Sequence, residues 1–108
     1  MLLSLGCHSA ASAPADAPRQ QVDIVMKKWS IEPHEIHVKK GTVVTLHVST
    51  ADVQHGFEVQ SLGISEPVNP GKPADITFVA DKPGKYGADC DILCGKGHDD
   101  MAATIIVE

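Results

Sequence analysis

From residue 22 onward, the hydrophobic residues come in short runs separated by turn-forming residues, and no useful stretch keeps the 3.6-residue period of an amphipathic helix. β-Branched residues dominate the runs, which is typical of strands. Breakers such as Pro33, Gly41 and Pro83 separate the runs. The pattern predicts strands at residues 22–27, 35–39, 43–49, 56–60, 75–79, 84–89 and 103–107.

The third of these predicted strands shows a clear alternation. Val44, Leu46 and Val48 fall on one face, whereas Thr45 and His47 fall on the other. Such alternation buries only one face of a sheet, as a two-sheet sandwich requires. Short strands at this spacing predict a single all-β domain, a Greek-key β-sandwich in which the long connection at 61–73 crosses between the sheets.

Residues 1–20 differ in character from the rest of the chain. Residues 1–7 resemble the end of a bacterial lipoprotein signal that is cut before a lipidated cysteine, here Cys7, although a basic start is missing. Residues 8–20 are small, polar and proline-bearing, like a tether. We expect a signal-like remnant and flexible tether at 1–20 and the folded domain at 21–108. Such a chain would lie in the periplasm or on the outer face of the cytoplasmic membrane, touching the membrane only through a lipid anchor at Cys7.

The charge balance is mildly acidic. Nine basic and fourteen acidic residues give a net charge of −5. The basic residues form no patch longer than the pairs Lys27-Lys28 and Lys39-Lys40, so nucleic acid is not expected as a partner. The acidic surface could steer a basic partner, although scattered charge of this size commonly serves solubility alone.

Residues 90–101 carry the strongest chemical signal. Cys90, Cys94, His98 and Met101 follow one another with the spacing Cys-xxx-Cys-xxx-His-xx-Met. Thiolate and thioether sulfurs are soft ligands that select copper, and imidazole suits copper too. Because this segment joins the last two predicted strands, it should lie at one end of the sandwich. The residue set indicates a soft-metal site.

Three other interpretations compete with a copper site. Cys90 and Cys94 could form a disulfide, since an exported chain meets oxidising conditions. Their spacing could mark one face of a helix, but Gly95 and Gly97 would each cost about 1 kcal/mol in a helix interior. Zinc could bind instead, but structural zinc sites are closed by cysteine and histidine and do not recruit methionine.

A further ligand should reach the same end of the sandwich from another strand. His55 lies where a loop enters the fourth predicted strand, and Gly56 beside it leaves room for close approach. A lone histidine is commonly a core or solvated residue, and position alone leaves that interpretation open.

Taken together, three segments resemble the copper-A (CuA) domain of cytochrome c oxidase subunit II. They are Asp52-Val53-Gln54-His55-Gly56-Phe57, Gly84-Lys85-Tyr86 and Cys90-xxx-Cys94-Gly95-xx-His98-xx-Met101. The similarity covers roughly residues 29–107. The same domain type occurs in nitrous oxide reductase, where it follows a large catalytic propeller.

The resemblance implies a cupredoxin fold with a dinuclear copper centre, two ions per chain. The implied ligands are Cys90 and Cys94 as bridges between the coppers, His55 and Met101 on one copper, and His98 with the backbone carbonyl of Ile92 on the other. The family usually has glutamate or glutamine at position 92. Because that ligand is a main-chain oxygen, isoleucine need not abolish the site, but it removes a side chain that could tune it.

A saturated ligand set in a rigid sandwich favours electron transfer over catalysis. We therefore expect an exported electron carrier that is not itself an enzyme, either a stand-alone or a truncated relative of subunit II. Its expected partner is a redox protein such as a c-type cytochrome or a terminal oxidase, and the carrier is expected to be a monomer. The alternative is a periplasmic copper carrier or oxidase copper-assembly factor. A cysteine–histidine enzyme is a third class, although no oxyanion-stabilising motif is apparent.

Other side chains are expected to be structural. Trp29 should pack in the core, with a role in electron entry as the alternative. Tyr86 resembles the tyrosine corner of Greek-key sandwiches. Three more side chains are assigned to the core and two histidines to the solvent face: Met26, Phe57 and Phe78, then His37 and His47.

Overall fold

The computed structural model describes residues 16–90 and 101–108. These residues form nine strands and one short 3-10 helix. In chain order they are β1 Arg19–Lys27, β2 Ser30–Glu32, β3 Glu35–Val38, β4 Thr42–Thr50, β5 His55–Val59, the 3-10 helix Gln60–Leu62, β6 Ile64–Val68, β7 Ala74–Ala80, β8 Gly84–Cys90 and β9 Ala102–Val107. Across the described ranges, no helix has the length and apolar character needed to cross a bilayer.

The strands form two sheets. The four-stranded sheet has the order β2-β1-β4-β7, and the five-stranded sheet has the order β3-β9-β8-β5-β6. β1 runs parallel to β4, and β3 runs parallel to β9, while the other neighbours are antiparallel. Buried side chains from both sheets meet in one core. The predicted single-domain all-β sandwich is confirmed.

The sequence pattern did not predict two edge strands, β2 and β6. β2 has only three residues, and β6 contains Pro67, which argues against a strand when read from sequence. Both lie at sheet edges, where proline can be accommodated without breaking the ladder. The connection at 61–73 therefore adds a strand beside β5 before the chain crosses to β7 in the other sheet.

The start of β1 lies within the range assigned to the tether. Pairing with β4 begins at Arg19, which lies opposite Val43. Residues 1–15, which include the expected anchor Cys7, lie outside the described residues.

The core follows the predicted alternation. In β4, Val44, Leu46 and Val48 are fully buried, whereas Thr45 and His47 are partly exposed. The assignment of three further side chains to the core also holds, with Met26 and Phe57 fully buried and Phe78 partly buried against the core.

Trp29 is 38% exposed, so the prediction that it packs in the core is wrong. It lies in the turn between β1 and β2, where its side chain is not enclosed by the two sheets. Lys28 Nζ lies 5.7 Å from the centroid of the Trp29 ring, within cation–π distance.

Tyr86 ties β8 to the turn that precedes it. Its hydroxyl donates a 2.5 Å hydrogen bond to the Lys82 carbonyl, which is the geometry of a tyrosine corner. Gly84 in the same turn has a φ of +150°, and a Cβ at that position would lie 3.8 Å from the Tyr86 ring. The structural role predicted for Tyr86 is confirmed.

Candidate metal centre

Three side chains predicted as copper ligands come to one end of the five-stranded sheet. His55 is the first residue of β5, Cys90 is the last residue of β8, and Met101 directly precedes β9. β8 lies between β5 and β9, and Asp89 pairs with Ala102. One further antiparallel step places Met101 opposite Cys90. Strand order therefore gathers ligands that are far apart in the sequence.

These side chains are shielded from water. His55 and Met101 are 0% exposed, and Cys90 is 5% exposed. His55 Nδ1 lies 3.9 Å from Cys90 Sγ, and the Gly56 N–H donates to the same sulfur at 3.5 Å. An imidazole nitrogen and a sulfur thus face each other in a dry pocket.

A carboxylate holds the other side of the imidazole ring. Asp52 Oδ1 lies 2.9 Å from His55 Nε2. The Lys28 N–H donates to Asp52 Oδ2 at 2.8 Å, and the Val53 N–H donates to Oδ1 at 2.6 Å. The Lys28 N–H, together with Val53 and His55 and against the opposing effect of desolvation, holds the pKa of Asp52 well below its usual range.

The ionised carboxylate determines which His55 nitrogen carries the proton. Because a carboxylate only accepts hydrogen bonds, Nε2 of His55 is the donor to Asp52. In the neutral imidazole the lone pair then lies on Nδ1, which faces Cys90 Sγ. Metal-binding histidines commonly donate their other ring N–H to a carboxylate in this way. Asp52 belongs to one of the segments that resemble the CuA domain, but no role is predicted for it from sequence. Its position three residues before the candidate ligand His55 was the available signal.

The described donors fit a soft metal ion. With bonds of about 2.3 Å to sulfur and about 2.0 Å to nitrogen, two ligands of one tetrahedral ion lie about 3.5 Å apart, so a shift of about 0.4 Å would suffice here. Met101 adds a thioether, which suits copper. In the stretches 16–90 and 101–108, histidine, cysteine and carboxylate side chains alone form no group of three or more that could hold a metal. The remaining predicted ligands, Ile92, Cys94 and His98, lie outside the described residues.

His37 and His47 lie on the outer faces of the sandwich, as their alternation predicted. His37 contacts Glu35 at 3.1 Å and Glu108 at 3.2 Å, and these two hydrogen bonds raise its pKa. His47 Nδ1 lies 2.6 Å from Asp75 Oδ1. Both histidines are therefore engaged by carboxylates at the surface.

Known proteins resemble this chain in sequence. The sequence profile of the Cupredoxin-like domain family matches residues 1–107. Cytochrome c oxidase subunit 2 from Thermus thermophilus is 34% identical over 80 residues, which cover 74% of this chain and 59% of that protein. Nitrous-oxide reductase from Stutzerimonas stutzeri is 38% identical over 78 residues, which cover 68% of this chain and 12% of the reductase. The chain therefore spans only part of the length of these relatives.

A solved structure shares the fold. The periplasmic domain of subunit II of cytochrome oxidase from Bradyrhizobium japonicum superposes with a TM-score of 0.75 at 24% identity, covering 89% of this chain and 86% of that one. The similarity to the subunit II domain and the cupredoxin-like fold, both predicted from sequence motifs, are confirmed.

Proposed function

The chain belongs to the family of cupredoxin-like domains, and we propose that it is an extracytoplasmic electron-transfer protein with a dinuclear CuA-type copper centre. One observation carries the proposal. His55 Nδ1 and Cys90 Sγ face each other at 3.9 Å in a buried pocket, with Asp52 on the far side of the imidazole. The identity to an oxidase subunit and to a reductase supports a redox role.

The proposed ligand set combines described residues with residues of the 91–100 segment. The described structure supports His55, Cys90 and Met101 by their burial and common location. The motif spacing supports Cys94 and His98, and the resemblance to the CuA domain supports the carbonyl of Ile92. In full, the proposed ligands are Cys90 and Cys94 as bridges, His55 and Met101 on one copper, and His98 with the Ile92 carbonyl on the other.

The protein itself supplies orientation and a dry environment. Bound copper would supply one-electron redox chemistry. Asp52 keeps the Nδ1 lone pair of His55 directed at the sulfur, and the Gly56 N–H donates a hydrogen bond to that sulfur. The ligands stand on neighbouring strands of one sheet, which limits their movement between redox states. This arrangement suits a carrier better than an enzyme, because a saturated site leaves no position for substrate.

An electron-transfer role also implies a partner and a cellular location. We propose a redox protein as the partner, such as a c-type cytochrome or a terminal oxidase. We propose a location in the periplasm or on the outer face of the cytoplasmic membrane, with the residues that precede β1 as a tether and Cys7 as its lipid anchor. The proposal holds for a free carrier and for a domain of a larger subunit, because all proposed ligands lie within the one domain.

Copper reconstitution tests the proposal. The chain should bind two copper ions, and electron paramagnetic resonance of the half-reduced centre should show one unpaired electron delocalised over both. Cys94→Ser should lose this delocalised signal. His47→Asn is the matched control, because it removes a surface histidine that contacts Asp75, and it should leave copper count and spectrum unchanged.

Two outcomes would overturn the proposal. One copper per chain with a localised signal would contradict a dinuclear centre. Copper that passes readily to a chelator while the protein stays folded would favour the copper carrier or assembly factor instead.

A further inference from the structure

β7 forms one edge of the four-stranded sheet. Within the part of the chain that the structure describes, β7 pairs with β4 alone, over seven consecutive residue pairs and without a bulge. Such an edge presents backbone N–H and C=O groups that another chain can pair with. Proteins commonly guard edges with short strands, prolines, charges or bulges.

The other three sheet edges carry guards of this kind. β2 has three residues, and β6 contains Pro67. β3 has four residues, and its outward-facing Glu35 and His37 side chains lie 3.1 Å apart. β7, by contrast, has seven residues with the sequence Ala-Asp-Ile-Thr-Phe-Val-Ala, which contains one charge and neither proline nor glycine.

The hydrogen-bond pattern shows which residues of β7 face outward. The Val79 carbonyl accepts from the Asp81 N–H at 3.0 Å and so points away from β4. Backbone direction alternates along a strand, so Asp75 and Thr77 direct their backbone groups the same way. The side chains support this assignment. In an antiparallel pair, two opposite residues that exchange no backbone hydrogen bonds have their side chains closer together. Thr77 on β7 and Thr45 on β4 are such a pair, with 3.1 Å between their Oγ1 atoms.

We propose that β7 is a self-association edge at which a second copy of this chain adds its own β7, antiparallel, about a two-fold axis at Thr77. In that register Thr77 meets Thr77 of the second copy, and Asp75 meets Val79 of the second copy. All three outward-facing residues then lie opposite a partner residue, with up to about four new backbone hydrogen bonds, because the Val79 carbonyl of each copy already accepts from Asp81. The two four-stranded sheets become one continuous sheet.

The side chains of the strand fit this partner. The antiparallel register places Asp75 opposite valine, so no like charges face each other, whereas a parallel register in line would stack aspartate beside aspartate. On the inner face, Ile76 meets Phe78 of the second copy. Phe78 is only partly buried within one copy, and the partner strand would cover it further. A strand that is complementary to itself selects a second copy over an unrelated peptide.

This association is independent of copper. β7 belongs to the four-stranded sheet, whereas the described ligands stand at the end of the other sheet. The contact is small against the roughly 1,200 Å² that stable complexes bury, so the dimer should form mainly at high concentration. It departs from the monomer expected on sequence grounds.

Sedimentation velocity and amide exchange of the copper-free chain test the pairing. The weight-average mass should rise between about 20 µM and 1 mM, as for a weak interface. The Thr77 amide should exchange more slowly in the concentrated sample. Thr77→Lys should weaken association at least about tenfold, because it places like charges opposite each other at the axis. Thr45→Lys is the control, since it breaks the same threonine pair one strand inward, about 4.8 Å from the edge.

Several results would overturn the proposal. A monomer over the whole concentration range would do so. Equal weakening by Thr77→Lys and Thr45→Lys would point to the face of the sheet, not to its edge. A Thr77 amide whose exchange ignores concentration would exclude β7 pairing even if the protein associates by another surface.

Discussion

The substitution Asp52→Asn measures how much the Asp52 carboxylate, which holds the His55 ring, contributes to stability. Asparagine keeps the shape of the side chain but offers one oxygen where aspartate offers two. Lys28 donates to one carboxylate oxygen, and Val53 and His55 donate to the other. At least one of these donors must then face an NH₂ group. A hydrogen bond to a charged acceptor is worth about 1.5–3 kcal/mol, and the Asp52 side chain is 32% exposed, so we expect a loss of about 2 kcal/mol in unfolding free energy at neutral pH.

The pH dependence of this loss follows from the lowered pKa of Asp52. A carboxyl whose pKa is lower in the folded protein stabilises the fold above its ordinary pKa of 3.8, and that stability is lost as the pH falls through the folded value. The difference between wild type and Asp52→Asn should therefore stay constant near neutral pH. It should shrink only in acid, below the ordinary pKa.

Urea unfolding of the copper-free protein measures the effect, and Asp75→Asn is the matched control. Asp75 also meets a histidine, but its side chain is 66% exposed, so its removal should cost less than about 1 kcal/mol. In copper-loaded protein, Asp52→Asn should lower copper affinity about 10- to 100-fold. Equal losses in both variants, or a gap that persists unchanged in strong acid, would refute the reasoning.

Other predictions follow from single contacts. Tyr86→Phe removes the hydroxyl bond to the Lys82 carbonyl and should cost about 1 kcal/mol in urea unfolding, and no loss would contradict a structural tyrosine corner. His37 should titrate above 6.5 by proton NMR, chiefly because of its bond to Glu35. Its contribution to stability is full below the ordinary value and is lost as the pH rises through the raised one. Glu35→Gln should lower the midpoint, and an unchanged midpoint would exclude that cause. Met101→Leu should keep the copper but shift its reduction potential in a redox titration, and an unchanged potential would argue against a thioether ligand.

Much of the fold could be predicted because its signals are local. The period of two in β4 reports burial on one face, and the turn residues mark where each strand stops. β2 and β6 were missed because an edge strand needs few apolar residues and accommodates proline, so its local signal is weak. The error at Trp29 has a similar origin, since hydrophobicity alone does not say whether a turn residue points into the sandwich.

Some residues of the candidate site could be predicted from sequence and others could not. Residue types and spacing indicated Cys90 and Met101, because soft-metal chemistry depends on which donor atoms are present, and the family resemblance added His55. Asp52 received no role, because a carboxylate becomes a support only when a specific backbone turn aims it at a ring nitrogen.

The fold class, the donor atom types and the family could be inferred from the residues alone, since each depends on residue identity and short-range pattern. The three-dimensional structure was needed to show that His55 and Cys90 face each other at 3.9 Å, that Asp52 sets the histidine tautomer, and that β7 pairs with β4 alone among the described strands. These properties arise from the pairing of strands that are distant along the chain. Residue patterns record how each strand is buried but not which strand becomes its neighbour.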